Sequence, residues 1–232
     1  IKECNVAIKD REEIDKWLIS KYNKLVKECT EAYDAFDLNI VVNKITSFVS
    51  DDLSNWYIRR NRKRFWGSTL DNSKKSVYIT TYEVLEGLCR LCAPVIPYIT
   101  EEIYTKLTGN KSVHLENFPT YDESLIDEHI EKRMDLVRSL ISVGRFVREE
   151  TKIKVRQPLS ECLLDGKNEN LISDLVPLIA EELNVKNVKF VDDISLYMNM
   201  TVKPNFKVCG AIFGKEMRDY QLLLETLSTE EV

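Results

Sequence analysis

The chain has 232 residues, of which 44% are hydrophobic and 31% charged, the balance of a water-soluble folded protein. Its longest apolar runs fall far short of the roughly 20 residues that span a bilayer, which excludes a transmembrane helix. The net charge of −5 argues against broad nonspecific binding to polyanions. That charge is uneven: residues 1–120 hold 18 basic and 17 acidic side chains, residues 121–232 hold 15 and 21. Any nucleic-acid contact therefore belongs to the first half.

Apolar residues recur at Ile14, Leu18, Tyr22, Leu25, Cys29, Ala32 and Phe36, which predicts a long helix from Arg11 to Phe36. Asp37 and Asn39 mark a break, and a second stripe through Leu38, Val42, Ile45, Val49, Leu53 and Trp56 predicts a helix running to about Arg64. Residues 67–76 read as a polar connection. A third helix from about Ser76 carries Val84, Leu85, Leu88, Leu91 and Cys92 inward until Pro94 and Pro97 interrupt it, and a short fourth runs from Thr100 to Leu107 before Gly109. Ser124 is a candidate cap for a fifth, reaching about Glu150, with Ile126, Ile130, Met134, Val137, Ile141 and Phe146 inward.

Beyond Pro158 the pattern changes. Glu161–Leu164 and Val185–Val191 are strand-like, Leu171–Leu183 is helical, Tyr197–Val202 alternates, and Lys215–Leu227 is helical again. The expected fold is mainly α: a helical bundle over 1–150, then a small α+β domain over 156–232.

One segment carries chemistry. From Asp51 to Trp66 the chain sets five cations, Arg59, Arg60, Arg62, Lys63 and Arg64, among four aromatics, Trp56, Tyr57, Phe65 and Trp66. Cations suit phosphates, and flat side chains suit unstacked bases, so the mixture suits RNA. The competing reading is a solvated helix end whose aromatics turn into the bundle. Helical phase places Val42, Val49, Leu53, Trp56 and Arg60 near one stripe, making Arg60 the expected structural cation, paired with an acid. Asn55, Arg59, Arg62 and Trp66 fall on another face. The expected RNA-binding set is Arg59, Arg62, Trp66, Asn55 and Lys63, with Lys63 and Trp56 on the border.

The run Leu53-Ser-Asn-Trp-Tyr-Ile-Arg-Arg-Asn-Arg-Lys-Arg-Phe-Trp66 resembles the isoleucyl form of the signature that class I aminoacyl-tRNA synthetases place in their anticodon-binding bundle. Leu91-Cys-Ala-Pro-Val-Ile-Pro-Tyr-Ile-Thr-Glu-Glu102 is similar to a second motif, shared with valyl and leucyl relatives. Arg156-Gln-Pro-Leu159, Lys203–Lys207 and Phe213–Lys215 resemble the C-terminal portion of the eukaryote-like, zinc-free isoleucyl branch. The resemblance implies that Trp66 stacks on an anticodon base, as a tryptophan does in methionyl relatives. It also implies isoleucine-accepting transfer RNA as the partner of a monomer whose own catalytic domain, holding ATP and magnesium, lies elsewhere in a longer chain.

Other chemistry is not indicated. No G-x-G-x-x-G, P-loop, H-E-x-x-H or G-x-S-x-G motif occurs, and the two elements by which class I synthetases hold ATP are absent, so no catalytic residue and no cofactor are expected here. The six cysteines, at 4, 29, 89, 92, 162 and 209, are scattered as free thiols of a reducing compartment, which points to the cytoplasm. Cys89 and Cys92 have the spacing of half a zinc site but lack a second pair, so burial is the expected role and no metal is expected. His114 and His129 lack a nucleophilic partner, and adjacent acids such as Glu101 and Glu102 do not face each other on a helix. The alternatives are a valyl or leucyl appendage and a helical protein-interaction scaffold.

Overall fold

The computed structural model describes residues 4–197, Pro204, Cys209, Gly214 and 217–225. Contacts divide the chain between Arg138 and Ser139 into two units, and the division falls inside a long helix.

In the first unit, α1 (Glu13–Asp34) is the spine. Leu18, Leu25, Cys29 and Ala32 of the expected stripe are buried, and so are Trp17, Ile19 and Val26, because α2, the segment after it and α4 cover the helix from several sides. Phe36 departs from the expected inward stripe. The helix stops at Asp34, so helical phase no longer governs Phe36, which sits at φ 56° with its ring almost wholly exposed.

Asp37 opens α2 (Leu38–Ser47) by accepting the Ile40 amide at 3.1 Å. The chain then stays helical to Trp66, but not on one period. Residues Phe48–Ile58 form a π-helical segment, and α3 (Arg62–Trp66) follows after Asn61. Val42 and Val49, expected inward, are exposed, while their neighbours Val41 and Phe48 are buried. Two adjacent apolar residues left the phase open, and the Phe48 ring packs near Tyr22 with centroids 6.4 Å apart. Farther on, i→i+5 bonding puts more residues in each turn than the α-helix does, so a stripe drawn at 3.6 residues slips. Asp52, Leu53, Trp56 and Tyr57 are buried, as is Asn61, and the Arg64 side chain turns inward to Asp15.

Asp71 caps α4 (Asn72–Cys92) by accepting the Lys74 amide at 2.8 Å, so this helix starts earlier than Ser76. Pro97 begins α5 (Pro97–Thr108) at a position where its missing donor costs nothing. Gly109, at φ 75°, ends it. The cap of α6 (Glu128–Glu150) is Asp127 rather than Ser124: its Oδ1 accepts the amides of His129 and Ile130 at 2.9 and 3.1 Å. Ser124 is itself held by Asp122 in a 3₁₀ turn. Met134 and Val137 are buried, and Glu131 receives Ser20 Oγ at 2.6 Å and Lys24 Nζ at 3.0 Å.

The second unit contains the end of α6, β1 (Leu159–Asp165), α7 (Glu169–Ile172), α8 (Val176–Leu183), β2 (Val185–Val191) and α9 (Met217–Glu225). The strands pair in parallel, Leu159 opposite Val185 and Asp165 opposite Val191, so the helical stretch between them is the crossover that a parallel pair requires. Phe146, expected inward, is 61% exposed. The inward side of α6 instead presents Gly144, against which Leu183 packs too closely for any Cβ, and then buried Arg148. The expected alternation over Tyr197–Val202 lies, after Tyr197, outside the described residues. Among the described residues no helix is long and apolar enough to cross a membrane.

Candidate nucleic-acid interface

A helix of five residues has too little backbone bonding to hold its own direction, so α3 depends on tertiary contacts. Arg64 supplies most of them. Its Nη1 and Nη2 donate to Asp15 Oδ1 and Oδ2 at 2.9 and 2.8 Å, Nη1 also reaches Asn61 Oδ1 at 3.0 Å, Nε donates to Ser73 Oγ at 2.8 Å, and Nη2 donates to the Ser73 carbonyl at 2.8 Å. These five bonds match the five N–H donors of a guanidinium.

Asp15 is fully buried and also accepts Tyr57 Oη at 2.6 Å. Burial, reinforced by the charge of Asp15, holds the Tyr57 hydroxyl well above its usual pKa. For Arg64, burial alone would weaken protonation, but the bond to Asp15 and its charge outweigh this and raise the pKa. Ser73 Oγ passes the chain of bonds to Glu12 at 2.5 Å. Thus α1, the π segment, α3 and the start of α4 share one polar knot. Beside it the Phe65 and Tyr78 rings meet edge to face at 5.5 Å, and Tyr78 Oη donates to the Phe65 carbonyl at 3.1 Å.

With Arg64 inward, the other face of α3 is turned to solvent. Trp66 is 80% exposed, a large apolar ring with little protein around it. Arg62 and Lys63 are exposed, four and three residues before Trp66, so both share its side of the helix. Asn55 is exposed one level down the π segment, and Arg59, half-exposed, folds back to it by donating Nε to its carbonyl at 2.8 Å. Four of the five residues expected to meet RNA are therefore open to solvent and the fifth is half-open. Trp56 is buried and does not belong to this surface. Arg60, the expected structural cation, is half-exposed.

The cation that helical phase did not single out is Arg64, whose largely covered side chain pairs with Asp15. Its signal lay in α1: Asp15 falls among apolar positions, where a buried carboxylate requires a cationic partner.

Elsewhere the chemistry is quiet. Burial pushes the thiols of Cys29 and Cys89 up to about 11 and that of Cys92 to about 12, leaving them protonated and unreactive. Glu101 accepts Ser112 Oγ and the Val113 amide at 3.0 and 2.8 Å, bracing a turn. Among the described residues no group of three or more His, Cys, Asp or Glu side chains is arranged to hold a metal ion.

The family described as the anticodon-binding domain of tRNA ligase matches residues 15–163, from the first turn of α1 into β1. The chain belongs to this family. Curated relatives agree. It is 39% identical to an isoleucine–tRNA ligase of Chlamydia caviae over 95% of the chain and 22% of that protein. It is 38% identical to that of Bacteroides thetaiotaomicron over 100% and 21%, and 42% identical to that of Clostridium acetobutylicum over 87% and 20%. The chain spans about a fifth of the length of these ligases. An anticodon-binding domain needs a surface for unpaired bases and backbone phosphates, and the exposed side of α3 has the residue types for both.

Proposed function

We propose that this chain is the part of an isoleucine–tRNA ligase that holds the anticodon arm of isoleucine-accepting tRNA, and that Trp66 receives an anticodon base. The observation that carries this reading is the 80% exposure of Trp66 at the end of a cationic helix whose inner side is fixed. An indole in water is a standing apolar cost that base stacking relieves, with a gain of about 1–3 kcal/mol per base. Arg62, Lys63, Arg59 and Asn55 flank it as phosphate and base contacts. Their role is positioning and discrimination.

In the complete enzyme this binding would present the acceptor end of the tRNA to a catalytic domain elsewhere in the longer polypeptide, where ATP and magnesium support joining of isoleucine. No residue of the present chain takes part in that chemistry. The cytoplasm, with this chain's thiols free, is the proposed location, and a monomer the proposed state.

The test is a titration of the 232-residue chain with isoleucine tRNA and with the same tRNA carrying an altered anticodon. Preference for the cognate anticodon that disappears in Trp66→Ala supports the reading. Equal affinity for both tRNAs, unchanged in folded Trp66→Ala, rejects it.

A further inference from the structure

Trp66 lies two residues from Arg64, and the Arg64 side chain is bonded at all five donors, to Asp15 of α1, to Asn61 just ahead of α3 and to Ser73 of α4. We infer that the Asp15–Arg64–Ser73 junction is a positioning device for the anticodon contact: it sets the direction in which α3 presents Trp66, and so governs tRNA affinity without touching RNA. This rests on the reading of Trp66 given above.

Three observations carry the inference. First, α3 is only five residues long and is joined to the π-helical segment before it through Asn61 by the bonds Asn61 N–H to Tyr57 O and Phe65 N–H to Asn61 O, so its backbone bonds alone fix its axis only in part. Second, the groups that do fix it are directional. A guanidinium fork against a carboxylate admits one plane, and the two bonds that Arg64 donates to Ser73, one to its hydroxyl and one to its carbonyl, admit one rotation within that plane. Third, the junction is isolated from the solvent face: Asp15 is fully buried and the Arg64 side chain is 14% exposed, whereas Trp66 is open. A stacking platform displaced by about 1 Å loses much of its contact with a base, so a rigid mount has a direct return in affinity.

Merely structural importance would predict something different, namely loss of folded protein with normal affinity in the molecules that fold. The discriminating experiment is a double-mutant cycle on the whole chain, read as tRNA affinity at a temperature well below unfolding. The variants are Arg64→Lys, which keeps the charge but loses the fork, and Ser73→Ala, which removes the Nε acceptor together with the hydroxyl's bond to Glu12, each alone and combined with Trp66→Ala. The folded fraction of every variant is measured by circular dichroism.

Trp66→Ala is expected to weaken binding about tenfold. Arg64→Lys and Ser73→Ala are expected to weaken it several-fold in folded protein, and to have no further effect once Trp66 is gone. If their losses persist undiminished in the Trp66→Ala background, or if folded Arg64→Lys and Ser73→Ala bind as tightly as the parent, the positioning role is overturned. If Trp66→Ala itself binds normally, it is the assignment of Trp66 to the anticodon that fails, a separate outcome visible in a different arm of the cycle.

Discussion

Tyr57 Oη donates to Asp15 Oδ1 at 2.6 Å, and that same oxygen takes an N–H from Arg64 at 2.9 Å. One buried carboxylate thus ties the π segment and α3 to the first turn of α1, the far ends of a stretch about 50 residues long. Removing Arg64 leaves the fully buried Asp15 without its cation, the situation in which breaking an ion pair costs most.

Arg64→Ala is accordingly expected to lower stability by about 3–5 kcal/mol, because Asp15 stays buried with its charge unmatched. Arg60→Ala should cost less than about 1 kcal/mol, since even a formed pair on a half-exposed side chain contributes little. Urea unfolding of the two variants side by side checks this. Equal losses would mean that Arg60 carries a buried contact of similar weight.

Alkaline pH should weaken the fold before it affects the arginines. Folded Cys29, Cys89 and Cys92 hold their protons to about 11 or 12 and Tyr33 to about 12, and Tyr57 and Tyr22 are held well above the usual tyrosine value, all chiefly through burial. The unfolded chain loses those protons near the ordinary values, at about pH 8.5 for cysteine and about 10 for tyrosine. Above those values the unfolded state binds fewer protons than the folded one, so stability present at neutral pH declines as pH rises. Tyr57 adds a slope of at most about 1.4 kcal/mol per pH unit above pH 10. Tyr57→Phe should be less stable at pH 7 by about 1.5–3 kcal/mol, through loss of a bond to a carboxylate. It should also show a shallower decline above pH 10. Denaturation midpoints at pH 7, 9 and 10.5 decide the sign.

Gly87 in α4 is required by a neighbour rather than by its backbone. A Cβ there would lie 1.8 Å from Tyr22 Oη, far inside van der Waals contact. Alanine would normally favour a helix over glycine by about 1 kcal/mol. Here Gly87→Ala should destabilise by about 1–3 kcal/mol because the Tyr22 ring must be displaced. A rise in melting temperature would show that Tyr22 has room to move.

Much of this architecture could be read from apolar spacing. The stripe of α1, the buried face of α4, the stop at Gly109 and both strands follow from residue patterns, since burial of one face is what those patterns encode. The errors have local causes. Val41 and Val42, like Phe48 and Val49, are adjacent apolar residues between which a period cannot choose. Arg64, which helical phase did not single out, turns to Asp15 because a π segment breaks the 3.6-residue count over Phe48–Ile58, and nothing in that sequence announces i→i+5 bonding. At the end of α6, Phe146 reads as core from its spacing, yet it is exposed and Arg148 is buried, because the needs of nearby carbonyls do not show in a hydropathy pattern. Of the candidate site, the exposed set could be read from residue type. The mount beneath it could not, since it joins residues 15, 64 and 73 through bonds that only tertiary structure brings together.

Arg148 provides a test confined to the second unit. Its Nη1 donates to the carbonyls of Lys154 and Gln157 at 3.2 and 3.0 Å, and its Nη2 to those of Leu183 and Asn184 at 2.7 and 3.2 Å. The side chain therefore pins the segment before β1 to the turn between α8 and β2. Arg148→Ala should cost at least about 2 kcal/mol, and Arg148→Lys should not restore it, because an ammonium lacks the fork that serves four acceptors. Limited proteolysis is the readout: cleavage between 151 and 158 should become faster in both variants, and rescue by lysine would contradict the fork argument.

The last expectation concerns the salt dependence of RNA binding, and Arg62 is the residue that isolates it. Arg62 is exposed on the same side of α3 as Trp66, so its charge can reach a phosphate without disturbing the buried junction. A cation that neutralises one phosphate releases about 0.9 counterion from a duplex stem, or about 0.7 from a single-stranded loop. Arg62→Ala should therefore reduce the slope of log affinity against log salt by a little under about one, weaken cognate and altered-anticodon tRNA alike, and leave thermal unfolding within about 0.5 kcal/mol of the parent. Trp66→Ala should do the opposite, keeping the salt slope and losing affinity mainly for the cognate anticodon, because stacking releases no counterions. Titrations at two salt concentrations for both variants separate the two roles. A change of slope in Trp66→Ala with none in Arg62→Ala would assign the phosphate contact to some other cation and remove Arg62 from the interface.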